Sequence, residues 1–314
     1  MSRKDRWVIS ALPGVLRAHV KECGLLLDRV RETRRTLGDT AERRRVESLI
    51  ALEAQWAANP ALPLFWVTEP MAQVALDASQ DIPTVTPAMA PCPAGFLAVA
   101  GSLPPLPVEP SAERIDTHGQ PITEPITPSA ALWFTTEMGF HICVYAHTTA
   151  MPAGRRISRS GPLHELVEMT LPRTPDGGWP EALDGDAIHL GLLAWLGACW
   201  HLMMTPTVAE RTQIDPRTGG PARPPTEDPA QNRAEPEITR VDLRPMREIT
   251  TDPTDDTAPA GRTYRHRWIV RGHWTHQPYG KGQAHRRLHW RESYVKGPAD
   301  APLKRSRPVN VWRR

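Results

Sequence analysis

The chain lacks the usual signatures of stapled, metal-bound or cofactor-dependent folds. Its four cysteines, Cys23, Cys92, Cys143 and Cys199, lie far apart and form no C-x-x-C pair, which argues against a zinc ribbon and against a disulfide-stapled secreted domain. Reduced thiols and a cytoplasmic location are the default expectation. No P-loop, G-x-G-x-x-G, H-E-x-x-H or G-x-S-x-G element stands in a workable context, and His164-Glu165 lacks the second histidine of a zincin. Long apolar runs are also scarce. The segment 187–204 (AIHLGLLAWLGACWHLMM) barely reaches the length of a membrane span and carries His189 and His201, so a buried core helix is expected and no membrane partner. A signal peptide is not expected, because the apolar stretch after the basic start is brief and runs into Arg17, His19 and Lys21.

Proline, by contrast, is plentiful. With 34 prolines in 314 residues the elements should be short and joined by extended, kinked connections. Apolar residues at Leu12, Val15, Leu16, Val20, Cys23, Leu27 and Val30 recur at helical spacing, predicting a helix over 13–35. Asp39-Thr40-Ala41-Glu42 resembles a capping box ahead of a second stripe, Val46, Leu49, Ile50, Glu53, Ala54 and Ala57, which Asn59-Pro60 ends. Residues 1–60 therefore read as a helical hairpin, with Arg31, Arg34, Arg35, Arg43, Arg44 and Arg45 on a solvated face.

From Leu62 onward the pattern shifts to short β-branched and aromatic runs: 64–68, 95–100, 131–135 and 140–146, with a hairpin turn at Glu137-Met138-Gly139. Residues 61–205 are expected to form an α+β core, a small antiparallel sheet packed on the central apolar helix after Asp186. The acids Asp176, Glu181, Asp184 and Asp186 read as caps and turns rather than a two-carboxylate site. Residues 206–261 hold ten prolines and many acids, the composition of a linker, with one strand expected near 237–244.

The closing segment, 262–314, carries the densest chemistry. It holds 14 Lys and Arg against two acids, a balance of +12, while residues 57–261 hold 12 and 25, a balance of −13. A near-neutral total hides a dipolar chain whose end should attract polyanions through counterion release. Four of the eleven Trp and three of the four Tyr share that tail, and flat rings among guanidinium groups suit stacking on unpaired bases. A strand pair, 264–271 with 287–294, is expected to form a basic C-terminal β-hairpin module, Gly272 supplying a bend and Pro278, Gly280 and Gly282 a turn. The residues expected to touch nucleic acid are Arg267, Arg271, His273, Trp274, Tyr279, Lys281, Arg286, Arg287, Arg291 and Lys296. Trp274 and Trp290 have a second reading, as buried fasteners of the C-terminus.

Two other chemistries fit the same residues. A metal-free ribonuclease needs a base, an acid and cations on the phosphate, and His273 with His285, beside Arg271, Arg286 or Lys281, supplies those types. A module that captures an acidic or nascent peptide is the third reading. No metal and no small-molecule cofactor are expected: the tail histidines are spaced for four nitrogens, but a structural zinc site usually includes thiolates.

The elements Arg271-Gly272-His273-Trp274 and Trp290 to Val295-Lys296-Gly297-Pro298, with the strand 237–244, resemble a set of largely uncharacterised proteins carried by bacterial plasmids and phages. Among the apparent relatives in that set is a type V anti-CRISPR protein that recognises the nascent N-terminus of the effector nuclease and triggers loss of its messenger RNA. The resemblance covers about the C-terminal two-fifths of the chain. It implies a mobile-element protein acting at RNA or at a ribosome and its nascent chain, with a host defence protein as a further partner. It does not imply the same target.

Overall fold

A computed structural model describes residues 8–100, 127–147, 162–174, 178–179, 187–222, 237–245, 247–250, 266–298 and 301–303. The chain divides into two compact units, the first made of Met1–Met204 and Ala209–Leu243, the second of Thr205–Val208 and Arg244–Arg314.

In the first unit the expected helical hairpin forms: α1 (Leu12–Leu37) and α2 (Ala41–Ala57). Pro13 sits in the first turn of α1, where its missing N–H is no loss. Leu12, Val15, Leu16, His19, Glu22 and Cys23 make the buried stripe of that helix, at the spacing one helical face demands. The Thr40 hydroxyl accepts the backbone N–H of Arg43 at 3.2 Å and caps α2. Glu42 falls one position short of the reciprocal place a capping box needs. The arginine face is tied to its own helices rather than merely solvated. Arg31 and Arg34 converge on Glu47 at 2.8 and 2.5 Å, Arg34 and Arg44 reach Asp39, and Arg43 donates to the Leu37 and Gly38 carbonyls that end α1.

The sheet of this unit corrects the expectation of a small antiparallel one. It has seven strands: β1 (Leu64–Val67), β2 (Ala94–Val99), β3 (Ala130–Thr135), β4 (Gly139–His147), β5 (Leu163–Pro172), β6 (Ala209–Ile214) and β7 (Ile238–Leu243). Their spatial order is β5-β4-β3-β2-β1-β7-β6, and β1 runs parallel to both neighbours, β2 and β7, while the remaining pairs are antiparallel. Parallel pairing needs a crossover, which α3 (Glu69–Ser79) supplies between β1 and β2. The strands β1 and β2 are buried at every position, as strands covered on both faces are.

The helices lie on both sides of the sheet. Leu12, Val15, Leu16 and Ala57 pack with Leu64, Trp66, Phe96, Leu132 and Tyr145 in one cluster, so α1 and α2 cover that face. On the other, Trp200 of α4 (Ala187–Met203) meets Trp133 and Phe140 edge-on with centroids 5.2 and 5.7 Å apart, and α3 packs on α4. The α4 run is the buried core helix expected, and among the described residues no helix is long and apolar enough to cross a membrane. Trp133 is fully buried, stacks on Phe65 and donates its indole N–H to the Cys92 carbonyl at 3.0 Å. Gly95 makes room for it, since a Cβ there would come within 2.5 Å of the ring.

Helix α3 and strands β5 and β6 have no counterpart among the sequence expectations. The buried stripe of α3 is Met71, Ala72, Ala75 and Ala78, three of the four being alanine. Strand β6 and the predicted strand β7 belong to the sheet, so the 206–261 segment is not a plain linker: β6 pairs antiparallel with β7 and carries it beside β1. Residues 223–236 and 251–265, and the acids Asp176, Glu181, Asp184 and Asp186, lie outside the described residues.

The described residues of the second unit form two small sheets. Strands β10 (His273–Tyr279) and β11 (His285–Arg291) form a hairpin, and β8 (Arg247–Thr250), β12 (Tyr294–Gly297) and β9 (Trp268–Val270) form a three-stranded sheet with β12 in the middle. The hairpin module exists, but its partners differ from the expected pairing of 264–271 with 287–294. The strand β10 intervenes and takes β11, leaving β9 to pair with β12. The turn at Lys281–Gln283 uses positive φ at Gly280 and Gly282, which glycine adopts without strain.

Candidate nucleic-acid interface

Alternation along a strand and direct opposition across a ladder decide which side chains share a face. In the β10–β11 hairpin the directly opposed pairs are His273 with Arg291, Thr275 with His289, Gln277 with Arg287 and Tyr279 with His285, and these eight residues occupy one face. The other face carries Trp274 with Trp290, His276 with Leu288, and Pro278 with Arg286. One side is thus cationic and polar, with three histidines, two arginines and a tyrosine, and the other begins with two indoles in edge-to-face contact, centroids 5.0 Å apart.

The cationic face is open. His273, Tyr279, His285, Arg287 and Arg291 are exposed. Arg287 lies over the Tyr279 ring, 5.8 Å from its centroid, and donates to the Gln277 amide oxygen at 3.2 Å, while His285 tilts against the same tyrosine at 5.3 Å. Arg286 donates to the Gln283 carbonyl at 2.9 Å, which draws it toward the turn beside Lys281. Among the described residues no carboxylate forms an ion pair with Arg286, Arg287 or Arg291, in contrast to the arginines of the helical hairpin.

Several residues expected at the interface stand elsewhere. Trp274 is half-buried on the opposite face, against the buried Trp290. Gly272 serves close approach rather than a bend, because a Cβ there would meet the Trp290 ring at 2.5 Å. Arg267 fastens the chain: its backbone N–H donates to Pro302 and its Nε to the Ala301 carbonyl at 2.9 Å. Lys296 is half-buried on β12, paired with Trp268 across the ladder, and Arg271 is exposed just before β10. The resemblance elements are therefore rich in packing contacts, for Gly272 and Trp274 each meet Trp290 and Gly297, at φ +134°, lies on the Arg267 backbone.

His273 and His285 are not brought together. They sit at opposite ends of the hairpin, six positions apart along the ladder, or about 20 Å at the rise of an antiparallel strand. No single phosphate spans them, which removes the geometric basis for that acid–base pair. The residues sequence reasoning missed are Thr275, Gln277 and His289, which share the cationic face. The turn glycines were the available signal, since a turn at 280–284 fixes Tyr279 opposite His285 and every pair beyond it.

A second concentration of polar side chains lies inside the first unit, between the helical hairpin and the sheet. His19 Nε2 is 2.7 Å from Glu53 Oε1, the Tyr145 hydroxyl donates to the same oxygen at 2.5 Å, and Cys23 Sγ is 3.6 Å from His19 Nε2. Cys143 on β4 and Glu165 and Glu168 on β5 line the same cavity of about 350 Å³. Burial, then the charge of Glu53, pushes the Cys143 thiol well above its ordinary value, and burial raises Tyr145 likewise and lifts Glu168 above its ordinary value. Two signals for this cluster stand in the sequence: the H-x-x-x-C spacing of His19 and Cys23, and a carboxylate at Glu53 inside an apolar stripe.

Comparison with protein-family models gives no match for this chain, and comparison with curated proteins gives none.

Proposed function

We propose that the chain binds RNA, single-stranded or structured, through the cationic face of the β10–β11 hairpin. The observation that carries this reading is the arrangement of Arg287 and Arg291 with Tyr279: exposed guanidinium groups without carboxylate partners among the described residues share one strand face with an exposed ring. Guanidinium groups of this kind hold phosphates, and a tyrosine with an arginine over it offers a flat surface to an unpaired base. Arg271, Arg286 and Lys281 flank the face and add to its attraction for a polyanion. The base-stacking role falls to Tyr279 rather than Trp274, whose ring is engaged with Trp290. The resemblance to plasmid- and phage-borne proteins is what supports a setting at RNA or at a ribosome and its nascent chain, in a mobile-element protein that is anti-CRISPR-like without implying the same target, and that setting is part of the proposal.

Fluorescence anisotropy of a labelled single-stranded RNA, measured across a salt series, tests the reading. If about five phosphates are neutralised, log affinity falls with log salt at a slope of about −3.5, and Arg287→Glu with Arg291→Glu lowers that slope by about 1.4. A flat salt dependence, or no binding at moderate salt, removes the proposal. Partner recovery that survives nuclease treatment would favour a peptide-binding module in its place. Crosslinking followed by sequencing of the attached RNA then names the target.

A further inference from the structure

We infer that the His19–Cys23–Glu53 cluster is a binding site for one zinc(II) ion, independent of the hairpin. His19 Nε2, Cys23 Sγ and one Glu53 carboxylate oxygen all lie within 4.8 Å of one another, and all three residues are buried. Their placement follows from local structure. His19 and Cys23 are one helical turn apart on the buried face of α1, and Glu53 projects from the buried face of α2, which packs on it.

A catalytic triad of Cys, His and carboxylate is the competing reading, and the geometry disfavours it. In a relay, one ring nitrogen serves the nucleophile and the other the carboxylate. Here Cys23 and Glu53 both approach Nε2, and Nδ1 is buried with no hydrogen-bond partner among the described residues. Three donor atoms around one point suit a cation instead. Donors about 2.0–2.3 Å from a tetrahedral zinc are about 3.2–3.7 Å apart, so the cysteine–histidine distance already fits and the histidine–carboxylate contact opens by roughly half an ångström as the shared proton leaves.

A further observation points to an occupant. One oxygen of Glu22, 7% exposed, is buried without a partner among the described residues, and Glu22 lines the same cavity as the three donors. A metal-bound water gives such an oxygen a hydrogen to accept. The Tyr145 hydroxyl, donating to Glu53, is the outer partner that ligating carboxylates characteristically have. One nitrogen, one sulfur and one oxygen ligand with a fourth position facing a cavity is the donor set of a zinc that keeps an exchangeable ligand. The thiol releases its proton on binding.

Cobalt(II) titration of the chelator-stripped full chain tests the site. The expected result is a sulfur-to-cobalt charge-transfer band with tetrahedral d–d bands, saturating at one ion per chain and displaced by zinc. Cys23→Ser abolishes the charge-transfer band, Cys199→Ser leaves it, and Tyr145→Phe weakens binding by about 10–100-fold. The tail histidines give no false positive, because residues 262–314 contain no cysteine. A folded wild-type chain without the band, or a band that persists in Cys23→Ser, overturns the inference. Should Cys23→Ser fail to fold by circular dichroism, alkylation of Cys23 in the wild-type chain, mapped by mass spectrometry, decides it: zinc slows the reaction at least tenfold if the site is real, and unchanged labelling overturns it.

Discussion

The arginines and histidines of the helical hairpin and those of the β10–β11 hairpin are the same residue types in opposite circumstances. In the first unit Arg31 and Arg34 meet Glu47, Arg44 meets Asp39, and His19 meets Glu53, so the charge is answered within the chain. In the second, Arg287 and Arg291 face outward with no carboxylate against them among the described residues, and exposed histidines stand beside them. A cation neutralised at home gains little from a phosphate, because the pair must first be broken, whereas an unanswered one releases counterions when it binds. Residue type and local charge density do not separate the two cases. Partner geometry does.

The same contrast governs stability, and the largest expected break lies in the core. Trp133→Ala removes the ring that packs between Phe65 and Trp200 and is expected to cost about 3–5 kcal/mol, read as a fall in denaturant midpoint. A smaller effect concerns the buried His141, whose ring nitrogens meet the Thr136 and Thr170 hydroxyls at 3.0 and 3.1 Å. Burial holds its pKa below the ordinary 6.5, so below that pH the unfolded chain takes a proton that the folded chain refuses. Stability contributed by neutral His141 is therefore present above pH 6.5 and is lost as pH falls toward the folded value, by at most about 1.4 kcal/mol per pH unit. Thermal melts from pH 7 to pH 5 should show that decline in the wild-type chain and a shallower one in His141→Gln. Smallest of all, Arg287→Glu with Arg291→Glu should leave the unfolding free energy within about 0.5 kcal/mol while RNA affinity falls. A large loss of stability from that reversal would mean the hairpin face is held by contacts of its own, and the comparison would fail.

Much of the architecture was legible one element at a time. The two N-terminal helices left periodic apolar stripes, and four strands of the large sheet, the strand near 237–244 and the core helix after Asp186 left short or continuous apolar runs. Helix α3 was not legible, because alanines supply most of its buried face, and the sheet was expected to be small and antiparallel, because β-strand sequences do not announce their neighbours. Nothing near Leu64 indicates that it pairs with Phe96 on one side and Ile238, far along the chain, on the other. At the candidate interface the composition was evident and the facing was not. Both Trp274 and Tyr279 were expected at the interface, and only the pairing of β11 with β10 decided that Trp274 turns to Trp290 while Tyr279 stays on the exposed cationic face.

By itself the sequence determined which residues prefer helix or strand, where the charge accumulates and where a turn must fall, since these follow from side-chain shape, spacing and sign within a few residues. The tertiary structure decided which cations find a carboxylate, which rings are buried and which lone pairs converge at His19, Cys23 and Glu53. Those outcomes depend on segments dozens of residues apart meeting across a packed sheet, and local periodicity carries no record of that meeting.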